Sequence, residues 1–228
     1  MILSGGLGRP NGNNDPVSGS DTPETFSVPT HPLASALAGA VLPNARVLLL
    51  GIGSGRNVPA LLAAAARIEA IEENPERARA AVARFASEPR VRISRAAYSA
   101  PYPFDGTIDG ALSTNALLHG TPHRVAAAIS AARERLAPNA PFYFTLGSKG
   151  DPRFGVGERP ARDTFVLRSG SEAGVPHCYF DEAGVRALMD GFAIEELVER
   201  SAAETAGSWA HTPEESASIV HWFVRSRR

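Results

Sequence analysis

Three glycines at alternate positions, Gly51, Gly53 and Gly55, follow the apolar run VLLL at 47–50 and precede Arg56, Asn57 and a further apolar stretch, LLAAAA. Glycines there leave the backbone bare where a Cβ would block a ligand, and the N–H groups of a helix N-terminus face acceptor atoms on that ligand. The next apolar segment, 67–71, ends at Glu72. This is about 20 residues past the first glycine, where a carboxylate can accept both hydroxyls of a ribose. An adenosine derivative is the ligand this pattern fits. A dinucleotide fingerprint needs G-x-G-x-x-G, and its third glycine position is here Arg56, which disfavours a nicotinamide-dependent oxidoreductase.

The elements that must position these residues alternate along the chain. A short apolar helix is expected over 31–42, a first strand over 45–50, a helix through LLAAAA, and a second strand over 67–71. Pro75 opens a helix on which Ala78, Ala81, Val82 and Phe85 fall at i, i+3, i+4 and i+7, a core-facing stripe. Strands follow at 91–94, 108–114 and 141–146, with a helix over 122–136 between the last two. Asp181 reads as the cap of a helix carrying Val185, Leu188, Met189 and Phe192, and the last two strands fall at 192–198 and 219–224. Strict alternation of strand and helix requires a mainly parallel sheet with crossover helices on both faces, an α/β doubly wound fold. The interval 147–179 is polar and aperiodic, and an interval of that length inside a compact domain reads as a lid or binding loop. Residues 1–29 are rich in Gly, Asn, Ser, Asp and Pro and read as a flexible arm; 30–228 form one domain.

The G-x-G-x-G turn after a hydrophobic strand, the acid at Glu72 and the segment AIEENPERARAA resemble the class I S-adenosylmethionine-dependent methyltransferases, and the segments RFGVG and GVPHCYF resemble a bacterial branch of small-molecule methyltransferases in which this loop covers the acceptor. The resemblance runs from about residue 43 to the C-terminus. It implies a Rossmann-like, seven-stranded, mainly parallel sheet completed by a C-terminal antiparallel hairpin, with S-adenosylmethionine as cofactor. It also implies that Gly51, Gly53, Gly55 and Asn57 face the methionine part, that Glu72 holds the ribose, and that Ala97 and Tyr98 enclose the adenine. Asn115, at the end of the fourth strand, would face the methyl group, although a turn asparagine bonded to its own backbone is an equal reading. The family usually carries an acid two residues before the first glycine, and here that residue is Leu49.

Methyl transfer from a sulfonium is an in-line displacement that needs alignment and desolvation first, and a base only if the acceptor carries a proton. His177, near the end of the polar interval, and His119, just past the fourth strand, are the two histidines placed to serve as that base. Arg153, Phe154, Tyr179 and Trp209 would line the acceptor pocket, and an arginine among aromatics suits an anionic or aromatic acceptor. His119 and His123 have the spacing H-x-x-x-H. Gly120 and Pro122 oppose a shared helical face, so no metal site is expected. Asp109 is read as structural, and Cys178 as lacking any group that would activate it.

With 228 residues and 43% hydrophobic content the chain can bury one α/β core, and a formal net charge of −1 gives no basic face for nucleic acid. A lone cysteine and the lack of a bilayer-length apolar run or basic leader fit a cytoplasmic protein, monomeric or homodimeric, with a small-molecule partner. The competing reading is a catalytically inactive nucleoside-binding subunit of the same fold.

Overall fold

The computed structural model describes residues 29–99, 101–170, 172–201 and 218–228. Nearly all of the expected arm, 1–28, and Trp209 lie outside the described residues. The first half alternates as expected: α1 (Pro32–Ala40), β1 (Ala45–Leu50), α2 (Val58–Leu62), β2 (Ala65–Glu72), α3 (Pro75–Arg84), β3 (Val91–Arg95), β4 (Gly110–Ser113), α4 (Pro122–Arg135) and β5 (Pro141–Ser148). The second half adds β6 (Glu158–Ala161), β7 (Thr164–Val166), β8 (Pro176–Phe180), α5 (Glu182–Leu188), β9 (Ala193–Ser201) and β10 (Val220–Arg227). The main sheet runs β3-β2-β1-β4-β5-β10-β9, with β1 to β5 parallel and β10 antiparallel to both neighbours. This is the doubly wound, seven-stranded sheet with a closing hairpin.

Side-chain alternation along the central strands sends each face of the sheet into its own core. Leu48, Leu50, Phe142 and Phe144 pack with Ile129 of α4 and Val185 of α5. Val47, Leu49 and Tyr143 pack with Leu33 and Leu37 of α1, Leu61 of α2 and Ala81 of α3. Every residue of β4 and β5 is buried, as two-sided cover demands. Each large apolar side chain removed from water there stabilises the fold by about 1.5–3 kcal/mol.

Local chemistry sets the helix starts. Asn74 caps α3 by accepting from the Glu76 and Arg77 N–H groups, Thr121 caps α4, and Asp181 caps α5 through the Gly184 N–H. Two expectations about helices need correction. The alanine run does not extend α2, because the chain turns after Leu62 and Ala65 already pairs with Ala45 of β1. On α3 the buried stripe is Ala78 and Ala81, continued by the partly buried Phe85; Val82 is 52% exposed, on the side of the helix turned from the sheet.

The polar interval 147–179 is not an unstructured loop. β5 outlasts β4, and Gly147 and Ser148 pair in parallel with Tyr179 and Phe180 of β8. β8 in turn pairs antiparallel with β7, and β7 with β6. The insertion is thus a small sheet stitched to the free edge of β5, and it ends in core residues: Cys178, Tyr179 and Phe180 are all buried.

Two histidines are sealed into this core uncharged. His31 caps α1 with Nδ1 accepting from the Leu33 N–H at 3.1 Å and stacks on Phe223. Burial, with Arg56 and His221 nearby, lowers its pKa to about 3; burial, with Arg153 nearby, does the same to His221. Both titrate near 6.5 in an unfolded chain, so between pH 6.5 and 3 the unfolded state binds protons that the folded state refuses. Stability is therefore expected to fall as pH drops below about 6.5, by up to roughly 1.4 kcal/mol per pH unit for each histidine. Urea midpoints at pH 7 and pH 5 check this, and equal midpoints would contradict it.

Candidate active site

The C-terminal ends of β1, β2, β3 and β4 bring the glycine turn, Glu72, the segment 96–99 and the segment 114–120 to one rim of the sheet. Gly51, Gly53 and Gly55 have φ values of 79°, 51° and 82°, a left-handed run that L side chains resist. Two of the three serve packing in addition to conformation. A Cβ on Gly51 would stand 2.3 Å from the Cβ of Ala116, and one on Gly55 would stand 2.4 Å from the Phe85 ring. At these two positions the protein itself already excludes a Cβ, a reason for glycine beyond the expected clearance for a ligand.

Gly53 is tied to the acid. Its N–H donates to Glu72 Oε2 at 3.1 Å, while Glu72 Oε1 accepts from the Asn74 N–H at 3.1 Å. Glu72 is 2% exposed, and the two N–H bonds fix its carboxylate at the tip of β2. Each oxygen keeps a lone pair for a hydroxyl donor, so the group fits a ribose diol. Gly53→Val is expected to fold with stability reduced by about 1–2 kcal/mol from left-handed strain and to lose nucleoside binding. A folded variant that binds S-adenosylhomocysteine as the parent does would overturn the role of the turn.

The loop after β3 is held by the residue next to Glu72. Glu73 accepts the Tyr98 N–H at 2.8 Å and pairs with Arg124 of α4 at 2.9 Å. The Tyr98 hydroxyl lies 3.2 Å from where a Gly51 Cβ would be, and burial together with the charges of Glu72 and Glu73 pushes its pKa up. Tyr98 thus reaches the glycine turn, and Ala97 precedes it on the same loop. Asn57 caps α2 without a side-chain cap bond. Its Oδ1 accepts the His31 N–H at 3.1 Å and its Nδ2 donates to Thr114 Oγ1 at 2.9 Å, which fastens α1 to the end of β4. Asn115 has φ 54°, donates its N–H to Thr145 Oγ1 and accepts from the same hydroxyl. Leu49 is fully buried in the lower core and presents no polar atom to the turn.

On the acceptor side the fold joins His119 to His177. The two pair as an isolated antiparallel bridge, flanked by Gly120 N–H to Pro176 O and Cys178 N–H to Leu118 O, both at 2.9 Å. Their rings meet edge to face with centroids 4.8 Å apart. Between them stands Glu172, with Oε2 at 2.9 Å from His177 Nε2 and Oε1 at 3.5 Å from His119 Nε2. Burial lowers the His119 pKa, partly offset by Glu172. Arg153 does not stand open to an anionic acceptor. Its Nε and Nη2 are held by Asp151 at 2.9 and 2.8 Å, and its Nη1 lies 3.4 Å from Glu172. Phe154 and Tyr179 form an aromatic cluster with Phe165, and Tyr179 also borders an open cavity of about 540 Å³ with Thr121, His123, Lys149 and Asp181. Burial pushes the Cys178 thiol up to about 12, so it is no nucleophile, and Asp109 accepts the Arg46 N–H at the start of β1.

Glu172 and Glu73 are not singled out by sequence reasoning. Glu73 follows a recognised acid and could have been found as a second acceptor at the β2 tip. Glu172 lies in the aperiodic interval, and no spacing relates it to His177.

Residues 47–139 match the family model of a methyltransferase domain. Solved structures share the architecture over most of the chain. A SAM-dependent methyltransferase from Methanosarcina mazei superposes with a TM-score of 0.69 at 16% identity, covering 88% of this chain and 98% of that one. The N-methyltransferase NodS of Bradyrhizobium japonicum, in complex with S-adenosylhomocysteine, gives 0.59 at 15% identity, covering 86% and 83%. The 1,6-didemethyltoxoflavin-N1-methyltransferase of Burkholderia thailandensis, with its substrate and S-adenosylhomocysteine bound, gives 0.59 at 20% identity, covering 90% and 79%. No curated protein sequence matches the chain. The fold is that of the class I S-adenosylmethionine-dependent methyltransferases, as the glycine turn and Glu72 led one to expect. Within it the match to the methyltransferase domain model covers residues 47–139, and two of the solved structures that share the fold hold S-adenosylhomocysteine.

Proposed function

We propose that this chain transfers the methyl group of S-adenosylmethionine to a small molecule. The observation that carries the reading is the buried Glu72 carboxylate, held by the Gly53 and Asn74 N–H groups with lone pairs left for a ribose. Gly51, Gly53 and Gly55 place the methionine part, Asn57 positions the turn from beneath, and Ala97 and Tyr98 cover the adenine. Leu49 leaves the cofactor's amino group without the usual acid, and Asn115 Oδ1, at the end of β4, supplies an acceptor for it.

When bound, the cofactor supplies a sulfonium methyl for in-line displacement. The chain aligns the acceptor on the far side of that methyl and keeps water out, which is the larger part of such catalysis. His177 and His119, joined through Glu172, receive the acceptor's proton where it has one, and Phe154 and Tyr179 flank the acceptor. Arg153, already balanced by Asp151, orients Glu172 instead of binding an anion. The acceptor is small because the chain has no net positive charge for a phosphate backbone. The domain works as a cytoplasmic monomer or homodimer.

The test is mass spectrometry of a small-molecule extract incubated with the full chain and methyl-labelled cofactor. A labelled +CH2 product that requires both chain and cofactor is expected. Tight binding of S-adenosylhomocysteine with no labelled product across a broad panel would overturn catalysis.

A further inference from the structure

His119 and His177 face one another because the backbone holds them so. The bridge between residues 119 and 177 fixes both Cα atoms, and side-chain exposures of 24% and 3% leave little rotamer freedom. His177 Nδ1 lies 2.9 Å from the Val175 carbonyl, which can only accept, so Nδ1 carries a proton. The lone pair of a neutral ring then sits on Nε2, which is buried, makes no hydrogen bond, and lies 2.9 Å from Glu172 Oε2. Two acceptors at that distance repel unless a cation lies between them.

We propose that His119, Glu172 and His177 form a binding site for a divalent first-row transition ion, with zinc as the reference member. The donor atoms of all three lie within 4.8 Å of one another. Tetrahedral zinc with bonds of about 2.0–2.1 Å sets its ligands roughly 3.3 Å apart, and the Glu172 oxygens stand 2.9 and 3.5 Å from the two imidazole nitrogens. Two imidazoles and one carboxylate suit zinc, iron, cobalt or manganese; calcium and magnesium prefer oxygen alone. The Val175 carbonyl is the outer partner that fixes ring orientation and tautomer. The competing positive charge, Arg153 at 3.4 Å from Glu172 Oε2, is already matched by two bonds to Asp151. Three protein ligands leave a position open, and the more exposed His119 side gives access to it. An acceptor heteroatom bound there would lose its proton more easily to water at the open side, and with the ion in place the two histidines would hold it and no longer take that proton themselves. That role rests on the methyl-transfer reading; the binding itself does not.

The full chain, stripped with a chelator and dialysed, is titrated with cobalt(II) by absorption and with zinc(II) by calorimetry. One ion per chain with a visible ligand-field band is expected. Glu172→Gln and His177→Ala should each weaken binding by about 10²-fold or more, with near-ultraviolet dichroism confirming the fold. His123→Ala should bind as the parent does. Absence of stoichiometric binding in the parent, or equal binding in the parent and both ligand variants, would overturn the site and leave a shared proton between His177 and Glu172. Titration of the metal-free chain with S-adenosylhomocysteine reads the cofactor site separately, so a failure there counts against methyl transfer and not against the metal.

Discussion

Replacing Glu72 by Ala is expected to weaken S-adenosylhomocysteine binding by about 10²-fold or more. Hydrogen bonds to a charged group contribute about 1.5–3 kcal/mol each, and a ribose offers two. The same change also orphans the Gly53 and Asn74 N–H groups, so the turn itself loosens. Glu72→Gln keeps the volume and one oxygen acceptor and should fall between the parent and the alanine variant. Calorimetric titration of folded samples separates the cases. A Glu72→Ala variant with the parent's affinity would remove the carboxylate from the cofactor site.

The largest stability effect is expected at Asp151. Its carboxylate is fully buried and accepts from the Arg153 N–H, Nε and Nη2 and from the Val220 N–H, which ties the end of β5 to the start of β10. Asp151→Ala leaves the Arg153 guanidinium buried without its main counter-charge. Such breakage costs about 3–5 kcal/mol. Urea unfolding at pH 7 measures it, and the double change Asp151→Ala with Arg153→Met should recover much of the loss. A double variant no more stable than the single one would show that the ion pair is not the cause. Burial alone would raise the Asp151 carboxyl, but its bonds to Arg153 more than reverse this and hold it below the usual carboxylate range. Its contribution is therefore complete above about pH 4 and is lost as pH falls through the lowered value.

The parts of the fold legible in the sequence are those whose causes are local. A four-residue apolar run, alternate glycines and an acid at the end of the next apolar segment place β1, the turn and β2 without further information, and Pro75 and Asp181 mark helix starts by their own chemistry. What local pattern misses is decided by partners distant in sequence. The alanines after Leu62 satisfy helix propensity, yet Ala63 and Ala64 turn and Ala65 opens β2 because β1 is there to pair with it. Gly51 and Gly55 are recognisable as glycines a turn requires, but Ala116 and Phe85, the atoms that forbid a side chain, are 65 and 30 residues away. Arg153 is the exception, since Asp151, which takes its charge, is only two residues before it, but no spacing rule marks the two as a pair. Glu172 acquires its place between two histidines only through the small sheet that carries it.

That small sheet hangs from the last two residues of β5 and from the contacts of residues 118–120 with β8, while the strands bearing the glycine turn and Glu72 pair with one another, with β3 and with β4. Inheritance can act on the two halves separately. Sequence drift in this small sheet would remodel the wall around His119 and His177 while leaving in place the hydrogen bonds that hold Glu72 to Gly53 and Asn74, so one frame can diverge at that wall while the turn and its acid stay the same.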